Sequence, residues 1–185
     1  PLDLKKLAKI VIKKSRLNFY KANDFAVEET NILLNNLISE QNRFSSKVKT
    51  LIIGCGNIGF KVALNLIESG YDVYAFRRNF KTLNLITRTI NLIKNYGVDS
   101  KIKALKSLPK SLKGFDIIIT AADSSEVINA DCVKGISRKS ILIDIGKGNF
   151  TTEAINMLMD KSIFIYRLDV SQAYFRHIDN IVLKK

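Results

Sequence analysis

The sequence predicts an α/β protein with a doubly wound parallel sheet, preceded by an N-terminal helical segment. Short runs of β-branched and aliphatic residues alternate with longer segments of helical periodicity over residues 48–166. These runs are apolar almost throughout, as expected for parallel strands that helices cover on both faces. The links between the segments are short, which favours helices that cross over between neighbouring parallel strands.

The first predicted strand, residues 48–53, runs directly into a glycine-rich turn. Residues 54–59 read Gly-Cys-Gly-Asn-Ile-Gly, the pattern G-x-G-x-x-G, and a helix predicted over 60–69 ends at Gly70. The three glycines of such a turn permit the sharp bend, the approach of a pyrophosphate and close packing of the helix on the strand. A turn that binds nothing is the alternative, but the second strand at the expected distance favours a dinucleotide site. The predicted cofactor contacts here are Gly54, Gly56, Asn57, Ile58 and Gly59.

Two arginines follow the second predicted strand, residues 72–76. Arg77 and Arg78 stand at its end, and no Asp or Glu lies between Val73 and Asp99. In NAD-selective sites an acidic residue near this place binds the ribose 2′-hydroxyl, whereas an arginine accommodates a 2′-phosphate. Guanidinium groups bind phosphate through charge-assisted hydrogen bonds. We therefore predict NADP as the cofactor in preference to NAD, although a solvated loop is the alternative interpretation of the arginine pair.

The rest of the chain continues the alternation of strands and helices. We predict a helix over 80–96 with Gly97 as its C-cap, and no definite element after residue 168. Thr120, Ala121 and Ala122 end the fourth strand, where small residues would let the nicotinamide half of a dinucleotide cross the sheet. The remaining predicted strands are 101–105, 115–120, 140–145 and 162–166, and a further helix covers 153–159.

Two helices are predicted before the first strand. The first lies within residues 1–22 and has a lysine-rich face opposite an apolar one; packing on a neighbouring element is favoured over lying on a membrane. The second begins near Asn23 or Asp24, either of which could cap it, and the polar residues 43–49 end it. The apolar face of the first helix comprises Leu4, Leu7, Ala8, Val11 and Ile12.

Composition excludes several classes of function. The 185 residues carry a formal charge of +13, which favours anionic partners. The basic residues are spread along the chain, so solvated lysine faces are favoured over a nucleic-acid surface. No apolar run approaches the ~18 residues of a membrane span, and we expect a cytoplasmic protein. Cys55 and Cys132 lack metal-ligand spacing, so no metal site is predicted.

Four motifs occur in register and carry a family resemblance. They are Leu-Ile-Ile-Gly-Cys-Gly-Asn-Ile-Gly at 51–59, Phe-Arg-Arg-Asn at 76–79, Phe-Asp-Ile-Ile-Ile-Thr-Ala-Ala at 115–122 and Ile-Leu-Ile-Asp-Ile-Gly at 141–146. Together they resemble the Rossmann cofactor domain shared by shikimate dehydrogenases, glutamyl-tRNA reductases and related amino-acid-dehydrogenase-like enzymes. The resemblance covers about residues 47–170.

The resemblance implies particular cofactor contacts. In those families the basic loop after the second strand holds the NADP 2′-phosphate, which points to Arg77 and Arg78. The turn at 120–122 and Gly146 would flank the nicotinamide. These families take their Lys-Asp pair or nucleophilic Cys from an amino-terminal substrate domain that these residues do not represent, so neither activity is expected to transfer.

The sequence therefore predicts an NADP-binding domain of an oxidoreductase, which reduces a carbonyl or imine of a small anionic metabolite or catalyses the reverse. A non-catalytic nucleotide-sensing module is the alternative, and a homo-oligomer is compatible with either. We divide the chain into a helical connector (1–46), from a missing or reduced substrate domain of a longer protein, and a Rossmann domain (47–185). Lys147 and Asp169 are the candidate catalytic residues, with solvated loop positions as the alternative. His177 is expected to be structural.

Overall fold

The computed structural model describes residues 3–39, 48–146 and 148–183. The described chain forms a six-stranded, all-parallel sheet with helices on both faces, which confirms the predicted fold class. The strands are β1 (Lys49–Ile53), β2 (Asp72–Phe76), β3 (Ile102–Leu105), β4 (Ile117–Thr120), β5 (Ile141–Asp144) and β6 (Ile165–Arg167). The helices are α1 (Leu4–Val11), α2 (Ala22–Ser39), α3 (Asn57–Glu68), α4 (Phe80–Ile93), α5 (Ala130–Val133), α6 (Thr152–Asp160) and α7 (Ser171–Val182).

The strand order is β3-β2-β1-β4-β5-β6, so the chain reverses direction across the sheet between β1 and β4. Their register pairs Thr50 with Ile117 at one end and Ile53 with Thr120 at the other. Helices that leave two such strands go to opposite faces, which opens a crevice beyond the carboxyl ends of the strands. A ligand site is therefore expected beyond Ile53 and Thr120.

The sheet is buried on both faces, which explains why its strands are apolar without alternation. In β1, Ile52 packs toward α2, α3 and α4, whereas Leu51 and Ile53 pack toward α5 and α6. Each of these side chains is almost entirely buried. Burial of one such side chain stabilises the fold by roughly 1.5–3 kcal/mol. The two core clusters therefore hold β1, and with it the glycine turn, in a fixed position.

Two helix ends differ in how well the sequence predicts them. Helix α3 ends at a Ser69 C-cap followed by Gly70 with φ +88°, as predicted. Helix α4 ends at Ile93, so the prediction of a helix to residue 96 with a Gly97 C-cap is wrong. Lys94 leaves the helix with ψ 153°, and its ammonium group donates hydrogen bonds to the carbonyl oxygens of Val98 and Ser100. These bonds stabilise a turn before the place where periodicity alone would end the helix.

The N-terminal helices also depart from prediction. Helix α1 buries none of its residues within the described chain, and Leu4 and Val11 are 72% and 76% exposed, so the expected packing of its apolar face is not observed. Helix α2 begins at Ala22, which places Asn23 and Asp24 inside its first turn rather than at the cap. Helix α2 packs against α3 and contributes to the core.

Helices α5 and α7 were not predicted from the sequence. Helix α5 is one turn long and is capped by Asn129. Helix α7 packs on α2, where Arg176 forms an ion pair with the mostly buried Glu29. The ring of His177 lies 5.3 Å from that of Phe25, in keeping with the structural role predicted for it. No helix in the described part of the chain is long and apolar enough to cross a membrane.

Candidate cofactor site

A cleft of about 540 Å³ lies beyond the carboxyl ends of β1, β2 and β4. Its lining comes from three segments, the glycine turn after β1, the end of β2 with the loop after it, and the loop after β4. Asn23, in the first turn of α2, adds a polar side chain that the sequence did not indicate as a site residue. The cleft occupies the point where the strand order reverses, as expected for a nucleotide site in a doubly wound sheet.

Gly54 and Gly59 are sterically required by the turn. Gly54 has φ +94°, and a Cβ atom added to it would lie 2.5 Å from the carbonyl carbon of Ala121. Its amide donates to the Phe76 carbonyl oxygen (2.9 Å), which joins the turn to the end of β2. A Cβ atom on Gly59 would lie 2.6 Å from the Gly54 carbonyl oxygen. Both positions therefore need glycine for the packing of the turn itself.

Gly56 is different, because no atom lies within 4 Å of a Cβ atom added to it. It is the N-cap residue of α3 and supplies no side-chain cap. The first amides of a helix have no partner within the helix and carry a partial positive charge. Asn57 and Ile58, which begin α3, both line the cleft. An anion in the cleft can thus approach the start of α3 over the bare backbone of Gly56.

The two arginines after β2 differ in burial and in hydrogen bonding. Arg77 is partly buried, and its Nη1 atom donates to the Cys55 carbonyl oxygen (3.1 Å), so it braces the glycine turn. Arg78 is exposed at the edge of the cleft, and its guanidinium makes no hydrogen bond or ion pair within the described chain. Asn79 caps α4 by accepting a hydrogen bond from the Thr82 amide. Arg78 is therefore available to a ligand.

Cys55 lies inside the turn but is not suited to nucleophilic chemistry. Burial raises the pKa of its thiol to about 11, and the nearby Arg77 opposes this shift only in part. Because the thiolate is the reactive form, a thiol with so high a pKa is unreactive at neutral pH. Its side chain fills space beneath the turn.

The loop after β4 forms the far end of the cleft. Ala121, Ala122 and Ser124 line it, and the place of the two alanines at the nicotinamide end of a cofactor stays a prediction. The structure does not bring Thr120 or Gly146 to the surface of the cleft. The Thr120 side chain is fully buried, and Gly146 lies beneath the loop, where an added Cβ atom would be 2.7 Å from the Ala122 carbonyl oxygen. Both residues support the loop from behind.

Two buried polar residues beneath this loop were not singled out as functional from the sequence. Asp144, at the end of β5, accepts hydrogen bonds from Thr120 Oγ1 (2.7 Å) and from the Gly146 amide (3.1 Å). Asn149 is entirely buried, and its side chain bonds to the backbone of the loop. Asn149 follows the sequence Gly-Lys-Gly at 146–148 and resembles an ordinary turn residue, so only its position just before the apolar Phe150 could have indicated burial.

The predicted catalytic residues do not form a described catalytic centre. Lys147 lies outside the described residues. Asp169 lies after β6, is exposed and does not line the cleft. Its carboxylate accepts hydrogen bonds from Ser171, and these bonds hold its pKa below the usual aspartate range. Within the described segments, no three His, Cys, Asp or Glu side chains are grouped to hold a metal ion.

A second cavity of about 490 Å³ adjoins the cleft between the start of α2 and α3. Lys21 and Lys61 line it, and Asn23 and Asn57 are shared with the cofactor cleft. Lys61 forms an ion pair with Asp24, and this hydrogen-bonded contact lowers the pKa of Asp24. Two lysines and the carboxylate of Asp24 thus lie beside the glycine turn.

A parallel sheet with a G-x-G-x-x-G turn at its switch point defines a dinucleotide-binding Rossmann domain. Residues 37–169 match the profile of the Shikimate / quinate 5-dehydrogenase family, and the chain belongs to that family. It is thus an NAD(P)-binding domain of the oxidoreductase class, and the resemblance seen in the sequence is confirmed.

Curated relatives with sequence similarity are longer proteins. A glycerol-3-phosphate dehydrogenase [NAD(P)+] from Clostridium botulinum is 32% identical over 105 residues, which make up 54% of this chain and 32% of the relative. One from Staphylococcus epidermidis is 27% identical over 122 residues, or 62% of this chain and 37% of the relative. The matched part therefore spans about a third of the length of these relatives.

Solved structures share the fold. A shikimate dehydrogenase in complex with NADP+ superposes with a TM-score of 0.54 at 18% identity, covering 77% of this chain and 50% of that one. The nucleotide binding domain of glutamyl-tRNA reductase from Thermoplasma volcanium gives a TM-score of 0.50 at 15% identity, covering 91% of this chain and all of that domain. At these identities the likeness concerns the fold alone.

Proposed function

We propose that this chain binds NADP in the cleft and serves as the cofactor domain of an enzyme that reduces a carbonyl or imine of a small anionic metabolite, or catalyses the reverse reaction. One observation carries the proposal: the unobstructed start of α3 at Gly56 and the arginines after β2 line the same cleft. An NAD-selective site would instead place a carboxylate at the end of β2.

The residues of the cleft divide among the parts of the cofactor in this proposal. The amides at Asn57 and Ile58 hold the pyrophosphate, which reaches them over Gly56. Arg78 binds the 2′-phosphate, assisted by Arg77, which also braces the turn. These assignments follow from the open backbone at the start of α3 and from the exposed guanidinium of Arg78, which has no hydrogen bond or ion pair among the described residues.

At the far end of the cleft, Ala121 and Ala122 receive the nicotinamide half of the cofactor, which when bound supplies the hydride chemistry. Their small side chains leave space between the ends of β1 and β4. Three further residues shape the site without lining the cleft, namely Gly59, Thr120 and Gly146. The backbone of Gly54 does line it.

The substrate and its proton donor come, in this proposal, from a further domain. The first 46 residues act as the connector to it. In the second cavity Lys61 is paired with Asp24, which leaves Lys21 to favour an anionic substrate beside the cofactor. Holding a substrate and a catalytic group in reactive geometry contributes about 7–11 kcal/mol to barrier reduction in well-oriented systems. Asp123 is the one carboxylate that lines the described cleft, and no acid–base pair accompanies it.

Titration with NADPH tests the cofactor assignment. Arg78→Ala removes a charge-assisted contact to the 2′-phosphate, each such bond being worth roughly 1.5–3 kcal/mol before screening, and should weaken NADPH binding about tenfold or more. Arg88→Ala is the matched control, because Arg88 is an exposed arginine on α4 that does not line the cleft. NADH affinity should change little in either variant. An unchanged NADPH affinity in Arg78→Ala would contradict the assignment.

A further inference from the structure

The side chain of Asn149 is bonded to the loop that lines the far end of the cleft. Its Oδ1 atom accepts a hydrogen bond from the Ala122 amide (3.3 Å), and its Nδ2 atom donates to the carbonyl oxygens of Ala122 (3.2 Å) and Ser124 (2.6 Å). Both amide hydrogens are therefore used. Asn149 itself is 0% exposed and does not line the cleft. It can act on a ligand only through the loop.

Asn149 is in turn held by Asp144. The Asn149 amide donates to Asp144 Oδ2 (3.2 Å), while Asp144 Oδ1 accepts from Thr120 Oγ1 (2.7 Å). The network thus ties the end of β4, the end of β5 and the loop after β4 to one buried carboxylate. Buried polar groups are costly unless they are bonded, so a fully bonded network favours a single arrangement of its members.

There is little space for the network to adopt another arrangement. A Cβ atom on Gly146 would overlap Asn149 Oδ1, and one on Gly54 would overlap the peptide between Ala121 and Ala122. The loop is therefore fixed between the glycine turn on one side and Asn149 on the other. These two contacts position the loop at this end of the cleft.

We propose that Asn149 is a positioning residue that fixes the 121–124 loop for the nicotinamide half of the cofactor. This inference rests on the proposed NADP-binding function. The adenosine half is recognised at the end of β2, a segment that Asn149 does not contact. Loss of the side-chain amide of Asn149 should therefore weaken binding of the nicotinamide half of the cofactor more than binding of the adenosine half. A residue that merely stabilised the domain would affect both halves alike.

Calorimetric titration with NADP+ and with adenosine 2′,5′-bisphosphate, which lacks the nicotinamide, separates the two halves. Asn149→Ala should weaken NADP+ binding about tenfold, the effect expected from releasing the loop's hydrogen bonds, and change the affinity for the bisphosphate by less than about twofold. Asn91→Ala is the matched control. Asn91 makes the same paired contacts to the backbone of Ile102 (3.0 Å each), but between α4 and β3, away from the loop.

The outcomes distinguish the inference from the function on which it rests. Equal weakening of both ligands by Asn149→Ala, no weakening of either, or the same pattern in Asn91→Ala would overturn the inference alone. Failure of the unaltered protein to bind the bisphosphate would overturn the proposed function and the inference with it. If Asn149→Ala does not fold, Gly146→Ala provides the second test, because its added methyl group would overlap Asn149 Oδ1 and lie 2.7 Å from the Ala122 carbonyl oxygen, and so would disturb the bonds between Asn149 and the loop. It should then give the same selective loss of NADP+ affinity.

Discussion

Two glycines of the same turn should respond to substitution in opposite ways. Gly54→Ala places a methyl group 2.5 Å from backbone atoms of Ala121 and Ala122 at a residue with φ +94°. The left-handed backbone costs roughly 1–2 kcal/mol for an L-residue, and relief of the overlap costs roughly a further 1–3 kcal/mol. The free energy of unfolding should therefore fall by about 2–5 kcal/mol. The Cβ atom of Gly56→Val meets no atom within 4 Å, and the cost of this variant should stay near the ~1 kcal/mol of an unfavourable N-cap.

Among folded variants, NADPH affinity should fall more in Gly56→Val than in Gly54→Ala. The valine side chain at position 56 would occupy the approach to the amides of Asn57 and Ile58, and the loss of even one charge-assisted bond to the pyrophosphate, roughly 1.5–3 kcal/mol, lowers affinity by about tenfold or more. Urea unfolding measures the first effect and NADPH titration the second. A Gly56→Val variant that is well folded and binds NADPH like the unaltered protein would refute the role given to the start of α3. A Gly54→Ala variant of unchanged stability would refute the steric argument.

Three further outcomes are expected. Burial raises the pKa of the Cys55 thiol to about 11, so the folded state should lose stability as pH rises above the pKa of a free thiol. Cys55 in the native protein should also resist a thiol reagent that labels it in urea. Rapid labelling of the native protein would contradict this. The contact with Lys61 lowers the pKa of Asp24, so Asp24→Asn should lower the urea midpoint slightly at neutral pH. In acid, where the carboxylate of the unaltered protein is protonated, the two midpoints should agree. A difference that does not depend on pH would contradict this role of the ion pair. Residues 1–185 alone should oxidise NADPH negligibly over a panel of keto acids and imines, whereas robust turnover would make Asp169 and Lys147 the first residues to substitute.

The sheet was predictable because its strands are buried on both faces. Such strands give continuous apolar runs, and the glycine turn fixes which strand is central. The helices that the sequence missed or extended depend on contacts distant along the chain or on local polar bonds. Helix α7 packs on α2 through Arg176 and Glu29, which no local pattern connects. Lys94 ends α4 through bonds to later carbonyl oxygens.

The glycine turn of the candidate site was predictable because the conformation of its backbone requires particular residues. Gly54, Gly56 and Gly59 have separate steric situations that match their places in the motif. The buried position of Asn149 beneath the loop after β4 was not predictable, because its side chain bonds to residues 25–27 positions earlier in the chain. Thr120 was expected to lie beside the nicotinamide, but its hydroxyl donates a hydrogen bond to the carboxylate of Asp144 on the neighbouring strand β5. Strand position alone does not reveal which way a terminal side chain points.

The preference of the unaltered chain for NADP over NAD is the most direct test of the account. It follows from the arginines at the end of β2 and the absence of a carboxylate there. Calorimetric titration with NADP+ and NAD+ under identical conditions measures it. The account predicts that NADP+ binds at least about tenfold more tightly, the contribution of one charge-assisted contact to the 2′-phosphate. Equal affinities, tighter binding of NAD+, or binding of neither would contradict it.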